Sequence, residues 1–235
     1  EGFRIALNIL HMGRLKLGGN VVGAAKQTIS QSVQYANERK QFCMLISTFG
    51  AIKHKLAEQV VRTFTTESAV YRATKYVQNE AERNHANGLD YGLGIMEAYN
   101  QFAIEAALLK VFGSEALDFV VDEAVQIFGG MGYSAEMPVD RGYRDSRINR
   151  IFEGTNEINR ILTIDTIIKR GSKKEIPLWE KAEEVFNSLD TLKEVSVEGM
   201  NYFDEKYAYI TNIKKVALML IKSASDTFQR KLVQE

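Results

Sequence analysis

Apolar residues in the first part of the chain recur at near-helical spacing. Phe3, Leu7, Leu10, Val22, Ala25, Ile29, Val33 and Ala36 share one stripe, with Leu15 slightly off phase, and predict one long helix over residues 3–38. Gly18-Gly19 interrupts it. Glycine costs about 1 kcal/mol inside a helix, so close packing against a neighbour is the expected reason for the pair. QFCMLISTFG then breaks the pattern. A second helix is predicted from Ser47 to Arg83, with Ile52, Leu56, Val60, Phe64, Ala69 and Tyr71 on or near one face. HANGLDYG reads as a loop, and a third helix follows over Leu93–Val111.

The next stretch is punctuated by single residues. Ser114 is placed as an N-cap, because its hydroxyl can accept from an open backbone N–H. Gly129 and Gly130 can supply the left-handed conformation that ends a helix. MGYSAEMP is a loop, and Pro138 opens a short helix through Asp145. Thr155 is the next N-cap, with Glu157 in the first turn, where a negative charge suits the helix dipole. That helix ends near Gly171. SKKEIP links it to two further amphipathic segments, 178–192 and 199–233. No strand alternation exceeds a few residues, and two prolines in 235 residues fit long helices. The class is all-α.

Composition narrows the field. Hydrophobic residues make up 45% of the chain, enough for a real core. Lys+Arg and Asp+Glu are each 30, so no basic surplus argues for a nucleic-acid partner. A single cysteine, Cys43, forbids an intrachain disulfide and fits a reducing compartment. No apolar run approaches the roughly 20 residues of a membrane span. The chain begins EGFRIALNIL, without Met, and ends LVQE; it reads as a piece of something longer.

Candidate chemistry concentrates late in the chain. His11, His54 and His85 lack the spacing of metal ligands on a helix face. GGMGY follows a helix rather than a strand, so it is no dinucleotide fingerprint and can be a plain helix end. Arg141, Arg144, Arg147 and Arg150 are spaced by three. They form either a solvated face paired with Glu136, Asp140 and Asp145, or a site for an anionic cofactor. Glu153 stands between Ile151-Phe152 and Gly154. An acid in apolar surroundings is held toward its neutral form and becomes a better base near neutral pH. Gly154 lets a substrate approach the backbone. From these residues alone, structural and catalytic roles for Glu153 stand level.

QIFGGMGYSAEMPVDRGYRDSRINRIFEGTNEINR, with YANERKQF upstream, resembles the C-terminal helical domain of acyl-CoA dehydrogenases. The resemblance covers residues 1–170, and its two motifs occur in order at the right separation. It implies an up-down four-helix bundle with extra C-terminal helices, while the family's N-terminal helical and β-domains lie outside this chain. Residues 171–235 resemble the start of the extension of very-long-chain members. That extension is associated with dimers and membrane surfaces. Tyr202, Phe203, Tyr207, Ile210, Ile213 and Leu220 then form either an interfacial face or one packed back on the bundle.

The resemblance also implies an activity. Glu153 would be the base that removes the α-proton of a long-chain fatty acyl-CoA, while the β-hydrogen leaves as hydride to FAD; the product is a trans-2-enoyl-CoA, as in fatty acid β-oxidation. The Glu153 backbone N–H would help hold the thioester carbonyl. Arg39, Gln41 and Phe42, with Gln126, Gly129 and Gly130, match the segments that meet FAD across a subunit interface. Thr155, Asn156 and Glu157 match the stretch after the base that contacts FAD. His11, Met12, Gly13 and Arg14 match the segment near CoA and the acyl chain, and Phe152 and Gly154 would border the same substrate. Some members carry the base near position 13, where Gly13 has no side chain to serve. Electron-transferring flavoprotein is the implied acceptor, and a homodimer or homotetramer the implied assembly. The implied compartment is the cytoplasm in a bacterium and the mitochondrial matrix in a eukaryote. Two other readings remain: an acyl-CoA oxidase, and for the isolated chain a non-catalytic helical assembly domain. One departure stands out. Cys43 occupies the place of a family glycine, which puts the turn beside the cofactor in question.

Overall fold

A computed structural model describes residues 2–188 and 199–228. The predicted helix ends at 189–192 and 229–233 lie outside the described residues, as do the side chains of Phe3 and Leu7. The chain divides into two compact units, Glu1–Thr163 and Ile164–Glu235. The fold is all-α, apart from one two-stranded ribbon among the described residues.

Three helical rods build the first unit. They are α1 (Gly2–Glu38), α2 (Gly50–Ala86), and the pair α3 (Tyr91–Gln101) and α4 (Ala103–Phe128). Leu15 clusters with Ala73 and Val77, whereas Ala36 clusters with Ile52 and Leu56, so α1 and α2 run antiparallel. Leu17 and Val21 cluster with Leu117, Val120 and Val121, and Ala36 with Ile127, so α1 and α4 run the same way. Burying a Leu or Val of this central layer contributes about 1.5–3 kcal/mol each.

Gly18 and Gly113 sit at tight contacts between the rods, Gly113 of α4 against α1 and Gly18 of α1 against α2. A Cβ on Gly113 would stand 2.9 Å from Val21 Cγ2, and one on Gly18 would stand 3.1 Å from Val70 Cγ2. Gly19 faces open space, so the packing reason given for the glycine pair holds for Gly18 alone.

The third helix departs from expectation. It is not Leu93–Val111 followed by a new start at Ser114. The break falls at Phe102 (φ −96°, ψ 28°), and α4 runs through Gly113-Ser114 without interruption. Ser114 is therefore no N-cap. Its Oγ bonds the Val111 carbonyl at 3.0 Å, inside the helix. The glycine before it serves the crossing with α1. Asp90 is the cap that was missed: its Oδ1 accepts from the N–H groups of Gly92 (2.9 Å) and Leu93 (3.2 Å).

The α2 face also differs. Val60, Phe64 and Tyr71 are exposed, at 51%, 68% and 69%, and the buried face carries Gln59, Thr63, Thr66, Ala73, Val77 and Ala81. The Nε2 of Gln59 donates to the Val120 carbonyl at 2.8 Å, while its buried Oε1 accepts no hydrogen bond among the described residues. A polar side chain can take an inward position once its hydrogen bond is made there.

After α4 come α5 (Gly130–Tyr133), α6 (Pro138–Ser146), a 3-10 turn over Arg147–Arg150, and α7 (Asn156–Ser172). Pro138 opens α6 as predicted. Thr155 Oγ1 accepts from the Ile158 N–H at 3.3 Å, the predicted cap of α7. Of the four arginines, Arg150 pairs with Asp118 of α4 at 2.9 Å rather than with Glu136, Asp140 or Asp145. Arg141, Arg144 and Arg147 are exposed.

The second unit holds the rest of α7, then α8 (Leu178–Asn187) and α9 (Tyr202–Phe228). A Cβ on Gly171 would meet Leu178 Cδ2 at 2.8 Å, so the chain doubles back tightly there. Leu178 and Ala182 are buried. No described residue of α9 is buried, and Phe203, Ile213 and Leu220 stay about two-thirds exposed. Among the described residues no helix is long and apolar enough to cross a membrane.

Candidate functional site

Two groups of the predicted residues assemble. The first surrounds the link between α1 and α2. Strands β1 (Lys40–Gln41) and β2 (Met44–Leu45) pair antiparallel, joined by Phe42 and Cys43. Both linking residues are left-handed, at φ 52° and 62°. Such a two-residue turn favours Asn and Gly, and each ordinary side chain there costs about 1–2 kcal/mol. The position does require positive φ, and Cys43 adopts it. The turn thus forms with two non-glycine residues at positive φ.

A cavity of about 490 Å³ opens beside this ribbon. Arg39, Gln41 and Phe42 line one side, and Gly129, Gly130 and Met131 line the other. Tyr35 and Phe128 stack across its wall with ring centroids 4.0 Å apart. Gly129 has φ 61° and ψ −141°, a conformation closed to other residues, and a Cβ on Gly129 or Gly130 would meet nothing within 4 Å. The result is an aromatic wall, a cation, an amide and bare backbone around one space. Gln126 does not line it; its side chain is exposed and its carbonyl accepts from the Gly129 N–H at 3.2 Å.

The second group surrounds Glu153. This residue has φ 57°, and Gly154 follows at φ 81°. A non-glycine residue in that region needs support from its neighbours. Arg14 of α1, only 5% exposed, donates from Nε to the Glu153 carbonyl at 3.2 Å. Asn159 of α7 is fully buried, and its Nδ2 lies 2.8 Å from the Gly154 carbonyl, 3.0 Å from that of Thr155 and 3.3 Å from that of Glu153. The side chain of Glu153 lies against Gly13: a Cβ there would be 2.9 Å from Oε1. Oε2 is shielded from solvent and accepts no hydrogen bond among the described residues. Phe152 beside it is 44% exposed, and His11 and Met12 are half-buried on the same turn of α1 as Gly13.

Beneath the loop runs a polar network that sequence reasoning missed. Lys110 of α4, fully buried, donates to Asn156 Oδ1 at 2.7 Å. Asn156 Nδ2 donates to Ser114 Oγ (3.0 Å) and Glu115 Oε1 (3.1 Å), and Arg160 reaches the same Glu115 oxygen at 2.7 Å. Both polar ends of the Asn156 side chain are thus engaged inside the protein. Thr155 caps its helix, and Glu157 is exposed. Burial pushes Lys110 down from its ordinary value, as does the charge of Arg14; Glu157, Glu115 and Glu153 oppose this. Burial lowers Arg14 as well, against the charge of Glu153. The one sequence signal for the network was a lone cation in the apolar run AALLKVFG. A larger cleft of about 590 Å³ between α2 and α4 contains none of the predicted site residues.

The chain matches the family model described as acyl-CoA dehydrogenase, C-terminal domain, over residues 1–168. It belongs to the acyl-CoA dehydrogenase family. A probable acyl-CoA dehydrogenase of Bacillus subtilis is 40% identical over 235 residues, which is 100% of this chain and 39% of that protein. The very long-chain specific mitochondrial acyl-CoA dehydrogenase of Rattus norvegicus is 42% identical over 161 residues, 68% of this chain and 22% of that protein. The crystal structure of an acyl-CoA dehydrogenase complexed with FAD from Bacillus anthracis superposes with a TM-score of 0.93 at 40% identity, covering 100% of this chain and 40% of that one. The chain thus spans about two fifths of the length of the first relative it matches.

Proposed function

We propose that this chain carries the base and part of the flavin site of an FAD-dependent acyl-CoA dehydrogenase acting on long-chain fatty acyl-CoA. In this reading residues 1–170 are the C-terminal bundle and 171–235 the start of an extension. One observation carries the assignment of Glu153. Its carboxylate lies over the bare backbone of Gly13, with a shielded oxygen that accepts no hydrogen bond among the described residues. An acceptor held in place without a partner is suited to take a proton from a substrate carbon.

The residues around the ribbon cavity fit a flavin dinucleotide. Stacked aromatics suit the adenine ring, Arg39 and Gln41 suit the phosphates, and Gly129-Gly130 leave backbone open to close approach. FAD supplies the hydride acceptor when bound. The chain's own residues do the rest. Glu153 takes the α-proton as the β-hydrogen departs with its electron pair, leaving the α,β double bond. Phe152, His11 and Met12 flank the substrate. Arg14, predicted to touch substrate, is assigned to holding the Glu153 carbonyl instead, because its guanidinium is buried there. Long-chain preference is supported by the likeness to the very long-chain enzyme over 161 residues.

The test uses the holoenzyme that contains this chain, mixed anaerobically with palmitoyl-CoA or butyryl-CoA. Rapid bleaching of the flavin by palmitoyl-CoA, arrested in Glu153→Gln with flavin still bound, is the expected result. Bleaching at the parental rate in Glu153→Gln would move the base elsewhere. Electron-transferring flavoprotein is the proposed acceptor; rapid oxygen uptake by the reduced enzyme would reassign it as an oxidase.

A further inference from the structure

Lys110 is the largest fully buried side chain among the described residues, and nothing in the proposed reaction uses it. An ammonium taken fully out of water is costly, so its partner matters. That partner is Asn156 Oδ1, 2.7 Å away. Asn156 is three residues after Glu153 and is the first residue of α7. The loop between them is left-handed twice, at Glu153 and Gly154, and is gripped from two sides. Arg14 and Asn159 hold its carbonyls, while Asn156, fixed to α4 through Lys110, Ser114 and Glu115, anchors its far end.

We propose that Lys110 is a positioning residue for the Glu153 base: through Asn156 it fixes the end of the loop to α4, and so holds the Glu153 carboxylate over Gly13. Ser114 and Glu115 share the grip, but Ser114 is 3.3 Å from the Asn156 oxygen where the ammonium is at 2.7 Å. Without Lys110 the amide oxygen keeps at most that longer bond, and only when the single Ser114 hydroxyl proton leaves the Val111 carbonyl. The amide can then turn, releasing Glu115 as well. A displacement on the order of 1 Å at a reacting group lowers a rate about 100-fold.

This inference rests on Glu153 being the base, so Glu153→Gln is measured beside the variants. All are made in the full holoenzyme. Lys110→Met removes the charge and the donor at similar length, and leaves the buried Asn156 oxygen without its close donor, which lowers stability. The expected result is an unchanged flavin complement in a protein that still folds, with a lowered melting temperature. At saturating palmitoyl-CoA, flavin bleaching slows about 10- to 100-fold. The half-saturating concentration stays the same, and the isotope effect with α-deuterated palmitoyl-CoA rises as proton removal becomes limiting. Lys110→Gln, a neutral donor, recovers part of the rate. Asn156→Ala combined with Lys110→Met is no slower than the slower single variant, because both act through one contact.

Parental bleaching in Lys110→Met, with Glu153→Gln arrested, overturns this inference and leaves the base assignment standing. So does slowing with an unchanged isotope effect and lost flavin, which is the signature of a merely structural role. Should Lys110→Met fail to fold, Lys110→Gln and Asn156→Ala carry the same readouts. Parental bleaching in Glu153→Gln overturns both.

Discussion

A Cβ placed on Gly13 would stand 2.9 Å from Oε1 of Glu153. The carboxylate therefore occupies space that any other residue at position 13 would claim. This sets stability against function. Alanine is favoured over glycine in a helix by about 1 kcal/mol. Gly13→Ala should therefore leave the melting temperature unchanged or raised, while displacing the carboxylate and slowing flavin reduction at least about 10-fold. Thermal unfolding and anaerobic bleaching on the same sample check it. A variant that melts higher and reacts at the parental rate would show that the base does not need this position.

Cys43 sits at φ 62° in the turn between β1 and β2. Glycine reaches this region without the penalty of about 1–2 kcal/mol that a side chain carries there. Its greater freedom in the unfolded chain takes some of that gain back. Cys43→Gly should stabilise the protein by up to about 1 kcal/mol, read as a higher midpoint in urea at an unchanged slope. A lower midpoint would mean that the thiol makes a stabilising contact.

What could be read from sequence was local. Pro138 at the start of α6, Thr155 as the cap of α7 and the ends of α1 depend on residues within a turn or two, and each lies where its chemistry predicts. The interior face of α2 was not legible. Val60, Phe64 and Tyr71 carry the large apolar side chains, yet Gln59, Thr63 and Thr66 point inward, because α4 offers the Val120 carbonyl and small side chains permit a close approach. Gly113-Ser114 read as a helix start because both residue types commonly stand there. Only the crossing with α1 shows that the glycine is room for Val21. The resemblance led to the residues that now surround Glu153 and the ribbon cavity. It did not lead to the grip beneath the loop, since Lys110, Ser114 and Asn159 act across distances of 42 and 46 residues or within buried turns that no spacing rule addresses.

Gly113 gives the most direct test of that crossing. An added Cβ meets Val21 Cγ2 at 2.9 Å and Thr66 Cγ2 at 3.4 Å, with the Gly18 backbone 3.8 Å away. Leucine there would have to part α1 from α4, and overpacking of this kind costs about 1–3 kcal/mol or more. Gly113→Leu should lower the unfolding free energy by that amount, read as a lower urea midpoint, whereas Gly19→Ala, in open space on the same α1, should leave the midpoint unchanged or raised.

Glu157 tests the first turn of α7 through pH. Its pKa lies below the ordinary carboxylate value of 4.5, chiefly because a backbone N–H bonds the carboxylate, then because of the Thr155 hydroxyl, with the charges of Arg160 and Arg150 adding to the effect and a slight desolvation opposing it. The folded state thus binds this proton less readily than the unfolded chain does. Stability from Glu157 is present in full above 4.5 and is lost as the pH falls through the lower, folded value. Glu157→Gln keeps the shape and cannot ionise. The parent should melt above the variant at neutral pH, and the gap should close on acidification below 4.5. High salt should narrow the neutral-pH gap only in part, since the leading causes are hydrogen bonds and only the attraction to the two arginines is screened. A gap that stays constant across the acid range would mean that Glu157 stabilises the helix through something other than its charge.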